Sequence, residues 1–206
     1  MPDDPAGVHD YPVTASTQLY RGRLFGLRRD DVMMPGGVTA SREVLVHPGA
    51  VVIAALDERD RVVVVRQFRH PVRRYLVELP AGLLDVAGEE PRLAAERELA
   101  EETGLRAASW HTLLDLMTSP GISEETVRVF LARDLSMVDE SQRYRAVHDE
   151  EADMTVDLID LDEACRQALA GELENAATVA GVLAAARARD AGYPLLRPAG
   201  APSPRS

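Results

Sequence analysis

Residues 80–105 read Pro80-Ala-Gly-Leu-Leu-Asp-Val-Ala-Gly-Glu-Glu-Pro-Arg-Leu-Ala-Ala-Glu-Arg-Glu-Leu-Ala-Glu-Glu-Thr-Gly-Leu105. Pro91 near the start and Gly104 just past the end bound a helix over 90–103. Glu98, Glu101 and Glu102 fall at i, i+3 and i+4, so they share one face. Like charges at that spacing destabilise a helix. A solvated acidic face is the ordinary explanation, but the context weakens it. A strand (75–79), Pro80 and a Gly-containing loop turn the chain into the helix and bring backbone carbonyls beside the glutamates. Hard oxygen donors of that kind suit Mg²⁺ or Mn²⁺. Arg97, beside Glu98 and four residues before Glu101, can hold a carboxylate by a bidentate pair.

Outward from this segment the chain punctuates itself. Val51–Leu56 and Val62–Arg66 are β-branched runs joined by Asp57–Asp60, a hairpin of buried strands. Strand-like segments follow at 109–117, 126–133 and 153–160, with helices over 161–169 and 174–190. Upstream, Thr17–Tyr20 and Arg42–Val46 flank the turn Pro35-Gly36-Gly37 and predict two or three antiparallel strands. That piece has too little core to stand alone. The expected division is a tail and small β unit over 1–46, a main domain over 47–192 and a flexible tail from 193 with four prolines. Irregularly mixed strands and helices predict an α/β (α+β) architecture, a mixed sheet with helices on both faces.

The 206 residues carry 34 acidic and 23 basic side chains, a net charge of -11. All the basic residues are Arg, which excludes lysine chemistry such as a Schiff base. The acidic balance repels nucleic acid and anionic lipid, so neither is an expected partner. Cys165 is the single cysteine and forms no intrachain disulfide or structural zinc site. The start, Met1-Pro2-Asp3-Asp4-Pro5, is unlike a signal peptide, and the apolar run from Ala50 to Leu56 is too short to span a bilayer. A cytoplasmic protein is expected.

The central segment resembles the Nudix hydrolases, whose box reads G-x5-E-x7-R-E-U-x-E-E-x-G-U with U a bulky apolar residue. Gly82, Glu89, Arg97, Glu98, Leu99, Glu101, Glu102, Gly104 and Leu105 match. One extra residue separates Gly82 from Glu89, in the loop around Val86-Ala87-Gly88, where insertion is cheap. Pro120, fifteen residues past Leu105, and the N-terminal strands are similar to the ADP-ribose pyrophosphatase branch, whose N-terminal unit is exchanged in a homodimer. Leu79-Pro-Ala-Gly-Leu-Leu-Asp-Val-Ala-Gly88 looks most like actinobacterial members. The resemblance implies an α/β/α sandwich and Mg²⁺-dependent (or Mn²⁺-dependent) hydrolysis of ADP-ribose.

It also implies roles. Glu98, Glu102 and the Ala81 carbonyl would ligate metal, and Glu101 directly or through water. Arg97 would orient them. Glu89 would complement the helix dipole, and Leu99 would sit in the core. The general base would come from the acidic run after His148: Glu150, or Glu151 as runner-up. Ala152 replaces a metal-ligating carboxylate found in some relatives. Arg69 would touch the diphosphate or its ribose. Leu83 would contact substrate, and Arg42 and Glu43 would reach it from the partner subunit. Arg23, Leu24 or Phe25 would meet the adenine, and Ser119 and Glu125 (or Glu124) the terminal ribose. For each substrate contact the plain alternative is an ordinary surface residue.

Three other readings compete. Box residues serve the diphosphate and not its appended groups, so hydrolysis of other nucleoside diphosphate sugars or dinucleotides fits equally. A catalytically silent ADP-ribose sensor usually has a damaged box and a DNA-binding domain, and here the box carboxylates are intact. A plain interaction protein would need nine matches by chance.

Overall fold

The computed structural model describes residues 10–139, 153–194 and 196–202. They divide into two compact units, the first built from residues 10–48 with 119–125 and the second from the remainder.

The first unit is an antiparallel sheet of β1 (Val13–Arg21), β2 (Gly26–Met33) and β3 (Thr39–Val46), in that order. Gly36 and Gly37 take φ of 88° and 81° in the β2–β3 turn, a conformation open to glycine at little cost. The sequence reading marked the first and last strands and not β2, whose charged residues hid it. Those charges are paired within the sheet. Asp30 is buried and accepts bonds from Ser16 Oγ at 2.7 Å and Arg28 Nε at 2.9 Å. Residues 119–125, assigned above to the main domain, belong here instead. The Leu45 N–H donates to the Ile122 carbonyl at 2.8 Å, and the Glu124 N–H to the Leu45 carbonyl at 3.2 Å.

The second unit opens with β4 (Ala50–Ala55), β5 (Arg61–Arg69), β6 (Arg74–Glu78) and β7 (Ala81–Leu83). There follow α1 (Pro91–Thr103), β8 (Leu105–Met117), β9 (Thr126–Met137), β10 (Thr155–Asp160), α2 (Leu161–Ala170), α3 (Ala176–Asp190) and β11 (Arg197–Pro198). A mixed sheet runs β11-β8-β9-β4-β7, with β4 and β9 parallel, and a second sheet runs β10-β5-β6. Alternation sorts the core. Val51, Ile53, Ala55, Phe130 and Ala132 meet Ala94, Ala95 and Leu99 of α1. Val52, Ala54, Val129 and Leu131 point the other way, toward Leu161 and Ala164 of α2 and Val182 and Ala185 of α3. The result is the expected α/β/α arrangement with a mixed sheet.

The hairpin expected over 51–66 is corrected. Its turn is tight, with the Asp57 carboxylate accepting the Arg59 and Arg61 N–H groups at 2.9 and 2.8 Å, but the strands meet only at Leu56 and Val62. Both edges of β4 are taken by β9 and β7, so β5 pairs with β6 and β10 in the other sheet. Two boundaries move as well. β10 starts at Thr155, because Asp153 is held by the Tyr75 hydroxyl. α3 starts at Ala176, where the Asn175 side chain caps it by accepting the Thr178 N–H at 2.9 Å.

The tail expected to be loose is tied down over 197–201. β11 pairs with β8, the Thr112 hydroxyl donates to the Pro198 carbonyl at 3.1 Å, and Arg128 Nη1 donates to the Ala201 carbonyl at 2.7 Å. Asp115 joins Arg128 Nε and Arg197 Nη1, each at 2.7 Å. Arg128 is buried and paired with Asp115 on β8, and the tail adds the Ala201 carbonyl to the one and the Arg197 cation to the other.

Candidate active site

Helix α1 places the box. Pro91 occupies its first turn, and Gly104 ends it in the left-handed conformation with φ of 68°, its N–H on the Ala100 carbonyl at 3.0 Å. Ala94, Ala95 and Leu99 are wholly buried, and Glu98, Glu101 and Glu102 form a partly buried stripe beside them, Glu98 one turn on from Ala94 and Glu102 two turns on from Ala95.

Arg97 binds three carboxylates at once. Its Nη1 reaches Glu98 Oε1 at 2.7 Å and Glu101 Oε2 at 3.1 Å, while Nε and Nη2 grip Glu89 at 3.2 and 3.1 Å. The Glu89 hydrogen bonds raise the guanidinium above its already high ordinary value, burial opposes them, and the charge of Glu98 and the hydrogen bonds to Glu98 and Glu101 add to the rise. Glu89, one residue before the N-cap Glu90, is thus also an ion-pair partner of Arg97.

The loop side is equally tight. Glu102 Oε2 accepts the Ala81 N–H at 3.1 Å, tying the helix to β7. Gly82 lies flat against Glu98: a Cβ there would fall 2.1 Å from the Glu98 carboxyl carbon. The glycine matters here through this close approach and not through its backbone angle: a larger residue would displace the Glu98 side chain. A divalent ion fits this donor set, because every side chain on offer is a carboxylate and the glycine opens the backbone to it. Among the described residues no three His, Cys, Asp or Glu side chains are grouped as for a metal, and Arg97 holds Glu98 and Glu101.

Arg69, at the end of β5, is gripped by Glu78. Its Nη2 donates to Oε2 at 2.6 Å and its Nε to Oε1 at 3.1 Å, and Gln67 Nε2 adds a bond to Oε2 at 3.3 Å. The Glu78 carboxylate is 2% exposed and the Arg69 side chain 39%. Leu83 lies half-buried in β7. In the first unit, Arg23 and Leu24 line a cavity of about 660 Å³ together with Tyr20, Phe25, Arg28 and His47. Arg42 and Glu43 lie on β3 opposite Asp30 and Arg29. Glu125 Oε1 is 3.5 Å from His47 Nδ1, Glu124 binds Arg28 at 2.7 Å, and the Ser119 carbonyl accepts two N–H groups of its own turn. Glu150 and Glu151, the candidate bases, lie outside the described residues.

Sequence reasoning missed Glu78 and Thr178. A lone Glu inside the strand run 75–79 was the available signal for the first. Thr178 gave none: its hydroxyl accepts the Leu79 N–H at 3.0 Å, a contact across the fold.

Residues 46–180 match the family model described as NUDIX domain. The chain belongs to the Nudix family. It is 51% identical over 176 residues to the ADP-ribose pyrophosphatase of Mycobacterium tuberculosis, covering 85% of this chain and 83% of that protein. An ADP-ribose pyrophosphatase of Bacillus subtilis is 38% identical over 164 residues, 80% of this chain and 86% of the relative. A solved structure titled as an ADP compounds hydrolase shares the fold, with a TM-score of 0.76 at 22% identity, over 91% of this chain and 98% of its own. The box is thus that of a Nudix hydrolase, a family that works with divalent metal. Among the described residues no helix is long and apolar enough to cross a membrane.

Proposed function

We propose that this Nudix hydrolase cleaves ADP-ribose to AMP and ribose 5-phosphate with Mg²⁺. The observation that carries the reading is the 51% identity, over most of both chains, to a protein named for that activity. The complete carboxylate face on α1 supports it. Bound ions would neutralise the diphosphate and lower the pKa of a water. The rest falls to the chain. Glu98, Glu101 and Glu102 hold the ions, Ala81 offers its carbonyl, and Arg97 keeps the carboxylates aimed. Glu150, with Glu151 as runner-up, takes the proton of the attacking water. A new P–O bond forms to that oxygen, the bridging P–O bond breaks, and the two monophosphates leave. Arg69, Leu83, Arg23, Leu24, Ser119 and Glu125 are the substrate contacts, with Arg42 and Glu43 contributed by the partner subunit.

The same reading makes the protein a homodimer. β1 is exposed along all nine of its residues, an edge of the kind that pairing covers. Light scattering should give twice the chain mass; a monomer would remove Arg42 and Glu43 from the site. The activity test is AMP release from ADP-ribose with Mg²⁺, set against a panel of other nucleoside diphosphate compounds. Glu102→Gln is expected to abolish it.

A further inference from the structure

We propose that Glu78 is a positioning residue for the reaction, acting through Arg69, with Gln67 as its second anchor. The inference rests on the proposed function for a diphosphate substrate at the box and for Arg69 as one of its contacts.

A guanidinium on a long stem has wide rotamer freedom, and orienting it on substrate binding costs entropy. Here that freedom is already removed. Nε and Nη2 of Arg69 both bind Glu78, a fork that fixes the plane of the guanidinium and not only its place. Glu78 is itself held, since it is 2% exposed and takes the Gln67 amide as well. A buried carboxylate without a cation would be costly, so the pair is obligatory.

The clamp is also rigidly joined to the box. Only Leu79 and Pro80 separate Glu78 from Ala81, whose N–H binds Glu102. Three residues span at most about 10 Å. Both intervening residues are pinned: the Leu79 N–H to Thr178 Oγ1 at 3.0 Å, and the Pro80 carbonyl to the Ile53 N–H at 2.8 Å. The segment 78–81 therefore carries, at one end, the anchor of a half-exposed cation and, at the other, the anchor of a box glutamate. A diphosphate brought to the box meets an arginine whose orientation was set during folding. Glu78 does not touch substrate, because its oxygens are spent on Arg69 and Gln67.

Steady-state kinetics on the full-length protein test this, with Arg69→Ala, Glu78→Gln and the double variant. Arg69→Ala should raise KM about tenfold or more with kcat changed far less, the pattern of lost ground-state binding. Glu78→Gln should show the same split, and the double variant should equal Arg69→Ala alone. Glu78→Asp, which keeps the charge on a shorter arm, should recover part of the affinity, and it stands in if Glu78→Gln fails to fold. If Arg69→Ala raises KM but Glu78→Gln and Glu78→Asp leave it unchanged, the positioning role is overturned while Arg69 keeps its place. If the two single effects multiply in the double variant, Glu78 acts independently and the proposal also fails. If Arg69→Ala leaves KM unchanged on an active enzyme, the clamp has no role in the reaction. If ADP-ribose is not hydrolysed, the same series is run on whichever nucleoside diphosphate compound is. A normal KM pattern there would sink the clamp separately from the substrate assignment, and inactivity on every compound would sink both.

Discussion

Gly82 shows how little room the box leaves. Its missing side chain is filled by the Glu98 carboxylate, so Gly82→Ala would push that carboxylate away from its place. Displacements on the order of 1 Å at reacting groups can cost about 10²-fold in rate. Gly82→Ala should therefore lower kcat by about that factor or more, with the far-ultraviolet dichroism unchanged; wild-type kcat in a folded variant would contradict the close approach. At this scale the sequence was legible where chemistry dictates spacing. Glu98, Glu101, Glu102 and Arg97 could be read together because three like charges on one helical face need a reason. Glu89 could be placed near them, but its bond to Arg97 could not, because that depends on how a loop with one extra residue closes. Glu78 was hidden for a related reason: its value lies in Arg69, nine residues away across a strand pair.

The elements were legible wherever local signals bound them. α1 was marked by Pro91 and Gly104. The strand pairing was not, because it depends on which edges are already occupied. Val51–Leu56 and Val62–Arg66 look like a hairpin to any local rule, and the pairing of β4 with β9 on one edge and β7 on the other separates them. The short link from β6 to β7 is likewise held from outside, by Thr178 on α3. Thr178→Val keeps the shape but leaves the buried Leu79 N–H without its acceptor. That should destabilise the protein by about 1–3 kcal/mol, measured as a lower urea midpoint at unchanged slope. An unchanged midpoint would mean that Leu79 finds another acceptor at no cost.

Across the whole molecule, one charge network reaches the last described residues. Asp115 on β8 joins Arg128 on β9 and Arg197 of the tail, so a segment whose prolines read as mobile is held to the sheet. Burial pushes the Asp115 carboxyl up, but the hydrogen bonds from Arg128 and Arg197 outweigh it and hold the group below its ordinary 3.8. A depressed carboxyl stabilises the fold above the unfolded value, and that contribution is lost as the pH falls through the lower folded value. Asp115→Asn should thus cost about 1–3 kcal/mol at pH 7, the scale of a broken charged hydrogen bond. The gap to wild type should shrink below about pH 3.8. A gap that stays constant into acid would contradict the ionic account.

The central claim concerns what this arrangement of carboxylates does, and one assay addresses it directly. Purified protein is given ADP-ribose and Mg²⁺, beside NADH, ADP-glucose and diadenosine polyphosphates, with Glu102→Gln in parallel. The account predicts release of AMP and ribose 5-phosphate from ADP-ribose, dependent on the metal and lost in Glu102→Gln. Hydrolysis that persists in Glu102→Gln, or no hydrolysis of ADP-ribose by the wild-type protein, would contradict it.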